Sequence, residues 1–474
     1  MNDVWQRLLP VRADAMLAVG LVLAIGVTIH VLLHKREVAS AVGWIGLVWF
    51  APILGTMIYL VLGINRVKRR ARRLRSQDRT AAQVLPRHPD SMEDRLEPLG
   101  RGVGRITGRP LVAGTGVTIY RNGDAAYPPM LAAIASARAS VAMSSYLFRD
   151  DLWGGQFIDA LAEARARGVA VRVIIDGIGG GWIRSSAYRR LRRTGVAAAR
   201  FMHSPLPWRM PFLNLRSHKK VLLIDGVLGF TGGMNIGDEN VMATHPATPV
   251  QDLHFGIEGP VVRQLLETFL EDWVFVTGED LQGEAWLPDI RPRTGVPARV
   301  IDSGPDEDLE KIEFAVLQAI GCARSCIAVT TPYFLPDGRL LAALSLAAMR
   351  GVAVDIVIPE KSNHPLVDWA TRANVGPLLA DGARIWHSPS PFHHTKMMVV
   401  DREWCLIGSC NWDIRSFRLN FELCMEVYDS ALATALTASM DAIRGPRLTQ
   451  HDLDARSFPV RLRDAAARLL LPYL

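Results

Sequence analysis

Cysteine is scarce in this chain of 474 residues: there are five, and none precedes Cys322. Cys322, Cys326, Cys405, Cys410 and Cys424 include no Cys-x-x-Cys pair and lie in apolar, strand-like surroundings, so they are expected to be reduced core thiols rather than a disulfide framework or zinc site. The histidines show no metal-ligand spacing either, and neither a metal nor a cofactor is expected. Aromatic residues are 7% of the chain and do not alternate with basic ones along any stretch, as a single-stranded nucleic-acid track would require. No nucleic-acid partner is expected, even though the net charge is +7.

Two long apolar runs are present instead. Ala15 to Leu33 and Val42 to Leu62 each approach the ~20 residues that span a bilayer, with only a short polar turn between them. They read as a transmembrane helical hairpin, with Pro52 tolerated inside the second helix. Arg66, Lys68, Arg69, Arg70, Arg72, Arg73 and Arg75 follow at once, and by the positive-inside rule they keep this end in the cytoplasm. The expectation is a multi-pass membrane protein whose remaining mass faces the cytoplasm. Much of the basic excess lies in this run, which suits anionic lipid better than a polynucleotide.

The pattern His-x-Lys-x-x-x-x-Asp occurs twice, as His218, Lys220, Asp225 and as His394, Lys396, Asp401. Each copy is followed by a small pair and an asparagine, Gly232-Gly233 with Asn235 and Gly408-Ser409 with Asn411, at the same distance from its histidine. Each copy reads as a β-hairpin, the first turning at Asp225-Gly226. Histidine and lysine two residues apart share one face of an extended strand and can address one anion. The small residues leave room for a phosphate, with Ser409 beside it and Asn235 and Asn411 as donors. Asp225 and Asp401 sit at the turns, which makes them hairpin-orienting first and chemical second.

The flanks repeat as well. Ala137-Arg138-Ala139-Ser140-Val141 is echoed by Ala323-Arg324-Ser325-Cys326-Ile327, and Arg167-Gly168-Val169-Ala170-Val171 by Arg350-Gly351-Val352-Ala353-Val354. The chain is an internal duplication of an α/β unit, and its apolar strands argue for a sheet covered by helices on both faces. The domains expected are two transmembrane helices over 13–64, a basic linker over 65–110, a first half over 111–290 and a second half over 291–474. The second half ends in a basic amphipathic helix, Val460 to Leu471, suited to lie on a membrane or to dock on its own domain.

These motifs, with Gly232-Gly233-Met234-Asn235, Thr331-Pro332-Tyr333-Phe334 and Asn411-Trp412-Asp413-Ile414-Arg415-Ser416-Phe417, resemble the phospholipase D superfamily, and within it the bacterial cardiolipin synthases. The resemblance covers nearly the whole chain. It implies two pseudo-symmetric halves, each a mixed β-sheet flanked by helices, whose hairpins meet at one shared active site. It also places histidine-orienting carboxylates at Asp252 and Glu422, which follow His218 and His394 in their respective halves. The tyrosine expected near the second motif is missing from Ser388-Pro389-Ser390-Pro391-Phe392-His393, which puts acceptor contacts in doubt.

Two histidines and two lysines around a phosphodiester suffice for transfer through a phosphohistidine. The pseudo-symmetry leaves either histidine as nucleophile; the resemblance favours His218, with His394 as acid and base. The implied activity joins two phosphatidylglycerols into cardiolipin with release of glycerol, so the expected partners are anionic phospholipids and the bilayer. Hydrolysis by a membrane phospholipase D, phosphatidylethanolamine as co-substrate, and a non-enzymatic membrane scaffold are the alternatives. The oligomeric state is open. Pro205 to Phe212, mixing Trp208, Met210 and Phe212 with Arg209, is expected either to touch the membrane or to pack over the domain.

Overall fold

A computed structural model of the chain describes residues 2–35, 38–63, 95–204, 215–290, 294–305 and 309–470. They divide into an N-terminal unit and a larger unit that holds both repeats. The basic run 66–75 and the segment 205–212 lie outside the described residues.

The N-terminal unit is a helical hairpin whose first arm is Asn2–His34. Within it Ala15–His34 is the one helix, among the described residues, long and apolar enough to cross a bilayer. The second apolar run is not the single helix expected of it. It is divided into Val38–Phe50 and Pro52–Ile58, with Ala51 bent out of helical geometry at φ −138°, ψ 77°, and a π-helical turn, Tyr59–Gly63, follows. Proline lacks an N–H, and its ring disfavours the helical conformation of the residue before it. The 13 residues of Val38–Phe50 reach about 20 Å at 1.5 Å per residue, short of the ~30 Å hydrocarbon core. The arms pack through Ala24, Val27 and Val31 against Trp44, Val48 and Tyr59. The Trp49 indole also donates to Thr28 Oγ1 at 3.0 Å.

In the larger unit the first half contributes β1 (Val112–Arg121), β2 (Ser140–Ser145), β3 (Ala170–Asp176) and β4 (Ala197–Phe201). It continues with β5 (Arg216–Ser217), β6 (Val221–Ile224), β7 (Leu228–Gly232), β8 (Val250–Gln251) and β9 (Leu253–Glu258). The second half contributes β10 (Val296–Ser303), β11 (Cys326–Thr330), β12 (Phe334–Leu335), β13 (Ala353–Pro359), β14 (Arg384–Ser388) and β15 (Phe392–His393). It ends with β16 (Met397–Val400), β17 (Trp404–Gly408), β18 (Trp412–Asp413), β19 (Asn420–Tyr428) and β20 (Arg447–Leu448).

The main strands join in one sheet, ordered β20-β14-β13-β11-β16-β17-β19-β10-β1-β9-β7-β6-β2-β3-β4. Read outward from its centre, the order is the same in both directions apart from β20, which is added at one edge, so the duplication seen in sequence is a pseudo-twofold in space. The axis lies at the antiparallel β1–β10 pair, where Val112 faces Ala298. The Gly-Val-x-Val stretches form β3 and β13, parallel to β2 and β11 and buried on both faces as their composition requires.

Helix Glu97–Thr107 falls inside the stretch read as a linker, yet it belongs to a core. Leu99 and Val103 are fully buried among Ile312, Val316 and Ile320 of the second half. Its i, i+4 apolar spacing is short and interrupted by glycines, which hid it among polar neighbours. The C-terminal helix is Phe458–Arg468, and its Asp464 is buried against Arg372 of helix Pro365–Asn374. It is docked on its own domain by that face.

Candidate active site

Each hairpin begins later than its sequence pattern suggests. The ladder β6–β7 pairs Val221 with Thr231, and β16–β17 pairs Met397 with Ile407. The residues just before, which carry the histidines, pair with the opposite half instead. Parallel β5–β19 pairing sets Arg216 opposite Asn420, and the His218 N–H donates to the Phe421 carbonyl at 2.8 Å. Parallel β15–β8 pairing sets His393 opposite Gln251, and the His394 N–H donates to the Gln251 carbonyl at 2.7 Å. This exchange brings the two imidazoles together, their centroids 6.4 Å apart and their planes at 80°.

The carboxylates are exchanged for the same reason. His218 Nδ1 lies 3.0 Å from Glu422 Oε2 and 2.9 Å from the Ser409 carbonyl, while His394 Nδ1 lies 2.9 Å from Asp252 Oδ2. Each candidate carboxylate therefore holds the histidine of the other half, not the one it follows in sequence. A carbonyl oxygen only accepts, so His218 Nδ1 carries the proton and Nε2 is left with its lone pair.

Lys220 and Lys396 are buried, and each ammonium donates to the carbonyl of its own histidine, Lys220 at 2.7 Å. Asn235 accepts from Leu147 N–H through its Oδ1 at 3.1 Å. Asn411 is buried, and its Oδ1 has no partner among the described residues. Ser409 is not placed as a phosphate ligand. Its hydroxyl donates to Glu422 Oε2 at 2.5 Å and accepts from Leu423 N–H at 3.0 Å, and Asn420 Nδ2 holds Glu422 Oε1 at 3.1 Å. The small residue thus makes room for the orienting carboxylate. In the other copy a Cβ on Gly233 would come within 2.6 Å of Asp252 Oδ2. The glycine before it is required by the backbone in both copies, at φ +151° for Gly232 and +154° for Gly408.

Asp225 and Asp401 lie at the far ends of the hairpins and touch no histidine. Asp225 accepts from the N–H groups of Arg138, Ala139 and Ser140, and Asp401 from those of Arg324, Ser325 and Cys326 and from Ser325 Oγ. They tie the turn to the start of the neighbouring strand. Alanine at either position is expected to destabilise the protein by about 2–3 kcal/mol, the cost of stranding amides bonded to a charge. The check is thermal unfolding, with kcat of the remaining folded protein little changed.

The comparisons with known proteins follow this geometry. The family model described as cardiolipin synthase, phospholipase D-like domain, matches residues 130–273 and 316–444, one match in each half. A second model, the phospholipase D-nuclease N-terminal region, matches residues 22–63. The chain belongs to the phospholipase D-like cardiolipin synthase family. It is 30% identical to the major cardiolipin synthase ClsA of Bacillus subtilis over 98% of this chain and 99% of that one. It is 29% identical to cardiolipin synthase 2 of Staphylococcus epidermidis over 94% and 95% of the two chains. Among solved structures, phosphatidylserine synthase of Haemophilus influenzae shares the fold, with a TM-score of 0.61 over 79% of this chain and 100% of that chain at 13% identity.

Electrostatics distinguish the two histidine pairs of this family member. Burial, reinforced by the Lys220 and Lys396 ammonium groups, holds His218 well below the usual imidazole range. Burial and then Lys396 push His394 down to about 3. Both rings are therefore neutral at pH 7 in the free protein. Glu422 is pushed up to about 7 by burial, whereas burial of Asp252 is outweighed by the bond from His394, leaving it below the ordinary carboxylate range. Burial lowers Lys396 to about 8.

Sequence reasoning missed Tyr146. Its ring meets His218 edge-on at 5.1 Å, and the Lys220 ammonium lies 5.2 Å from its centre. The signal available was its place just after the carboxyl end of β2, where open α/β sheets put ligands. In the loop that lacks the expected tyrosine, Phe392 packs 5.9 Å from His394, and Tyr333 packs 6.3 Å from Phe392.

Proposed function

We propose that this chain is a membrane-bound phosphatidyltransferase that makes cardiolipin from two phosphatidylglycerols. The observation that carries the reading is the pair of imidazoles 6.4 Å apart, each with Nδ1 tied to a carboxylate, in a chain similar along nearly its whole length to curated cardiolipin synthases. With both Nδ1 atoms engaged, the Nε2 atoms are the reactive ones. His218 Nε2 attacks phosphorus, the phosphorus–oxygen bond to the terminal glycerol breaks, and His394 Nε2 gives that alkoxide its proton. A hydroxyl of the second phosphatidylglycerol then takes the place of glycerol. It loses its proton to His394 and attacks phosphorus, and the phosphorus–nitrogen bond breaks.

Lys220, Lys396, Asn235 and Asn411 stabilise the non-bridging oxygens. As the phosphodiester binds, its negative charge raises the proton affinity of His394, whose Nε2 takes a proton from solvent and becomes the acid, while His218 stays neutral as the nucleophile. The apolar helix Ala15–His34 supports attachment to the bilayer. The arginine-rich run after the second apolar segment supports a catalytic unit on the cytoplasmic side.

The deciding experiment follows cardiolipin, phosphatidic acid and glycerol by mass spectrometry with the purified protein in phosphatidylglycerol bilayers. Cardiolipin with equimolar glycerol is expected; phosphatidic acid alone would make the protein a hydrolase. A pH profile adds a second expectation, read on formation of the covalent intermediate from a donor whose leaving group departs without a proton, so that a charged His394 is not required. Glu422 must be ionised to hold His218, so this rate rises with pH through about 7. Lys396 must be charged to hold phosphate, so the rate falls as pH rises through about 8. The maximum lies between these values.

A further inference from the structure

The C-terminal helix Phe458–Arg468 carries an exposed apolar stripe. Phe458, Leu462 and Leu469 are 75%, 60% and 78% exposed, and with Ala465 they fall at i, i+4, i+7 and i+11, one stripe along the helix. The opposite face, with Asp464 and Ala467, is buried. A stripe of this size without a partner among the described residues is unusual on a soluble surface, where large apolar side chains are exposed singly.

Its surroundings are strongly basic. From Arg456 to the last residue the chain has four arginines against one aspartate. That aspartate, Asp464, is consumed internally by Arg372, Arg456 and Arg463. Arg461 and Arg468 remain beside the stripe and, with Arg372, Arg456 and one carboxylate, Asp454, line a groove of about 450 Å³; Phe458, Leu462 and Ala465 of the stripe form part of its wall. Arg463 is turned to the other side, its guanidinium 4.3 Å from the centre of the Trp369 ring.

We infer that this helix is a second membrane contact of the catalytic unit. The apolar stripe enters the headgroup and acyl boundary of an anionic bilayer, while the arginine-lined groove takes a phosphate of one anionic headgroup. The inference rests on the lipid-directed reading above. An apolar row flanked by arginines fits the boundary between acyl chains and anionic phosphates. The buried Asp464 contacts hold the helix to the domain, so insertion of the stripe fixes how far the domain stands from the membrane without unfolding it.

The test places a nitroxide on Leu462→Cys in the full chain, with the partly exposed Cys322 and Cys326 replaced by serine. Nanodiscs of phosphatidylglycerol are compared with nanodiscs of phosphatidylcholine. Accessibility to oxygen and to a water-soluble nickel chelate is read without turnover, and cardiolipin formation is assayed separately on the same discs. Failure of the lipid contact is thereby separated from failure of the enzymatic reading.

In phosphatidylglycerol the label is expected to be open to oxygen and closed to nickel, and in phosphatidylcholine open to nickel. A label on Glu163→Cys, at an exposed position of helix Leu152–Ala166 in the first half and not among the residues lining the groove, is expected to remain open to nickel in both. Arg461→Gln with Arg468→Gln is expected to weaken immersion about fivefold per arginine. A label at 462 open to nickel in both lipids would overturn the inference. Shielding from both probes in both lipids would assign the stripe to a protein contact instead, and equal immersion in both would remove the arginines from the account.

Discussion

With a phosphatidyl donor carrying a p-nitrophenol leaving group, His394→Ala is expected still to form a covalent phosphatidyl-enzyme, and His218→Ala is expected to form none. Such a leaving group departs without a proton, so the acid is dispensable in the first step while the nucleophile is not. The His394→Ala intermediate is then expected to stall, because no base takes the proton of the incoming hydroxyl. With phosphatidylglycerol itself, both substitutions are expected to lower cardiolipin formation by at least about 10³-fold. Intact-protein mass spectrometry after rapid quenching reads the adduct directly. An adduct on His218→Ala and none on His394→Ala would reverse the assignment, which the near symmetry of the two copies leaves open by position alone.

The second large effect follows from the exchanged carboxylates. Asp252→Asn is expected to behave like a lesion of His394, and Glu422→Gln like a lesion of His218, each costing about 10²–10⁴-fold with phosphatidylglycerol. At Asp252→Asn the amide can offer an N–H to His394 Nδ1, which moves that imidazole proton to Nε2 and leaves the ring in the wrong tautomer. At Glu422→Gln the Ser409 carbonyl still holds the Nδ1–H tautomer of His218, and what is lost is the negative charge that stabilises the cationic phosphohistidine. With the activated donor, Asp252→Asn should retain adduct formation and Glu422→Gln should lose it. Pairing within each half predicts the opposite result. A double-mutant cycle checks the same point, because Asp252→Asn adds little to His394→Ala but multiplies with a lesion in the other pair.

The sequence carried everything set by short-range order. Two motifs in register, the Asp-Gly turn after Ile224, the apolar strands beginning at Ala170 and Ala353 and the repeated Ala-Arg flanks all depend on residues within one hairpin or one strand. Their periodicity therefore reveals them, and the family and the meeting of the two hairpins could be read without coordinates. The glycine pair was also visible, although its use was not. Position 233 clears the Asp252 carboxylate, and Ser409 holds Glu422.

Tertiary structure decided whatever joins distant parts of the chain. The bonds His394–Asp252 and His218–Glu422 span 142 and 204 positions, and no local pattern records which of two equivalent carboxylates a symmetric partner will use. Helix Glu97–Thr107 shows its apolar face only once the second half supplies Ile312 and Val316 to receive it. Composition made Val42–Leu62 one membrane helix, and the backbone restriction at Ala51-Pro52 made it two. Local sequence sets which elements form. The pairing of β5 with β19 and of β15 with β8 set which side chains share a site, because those hydrogen bonds pass between halves that fold around separate cores.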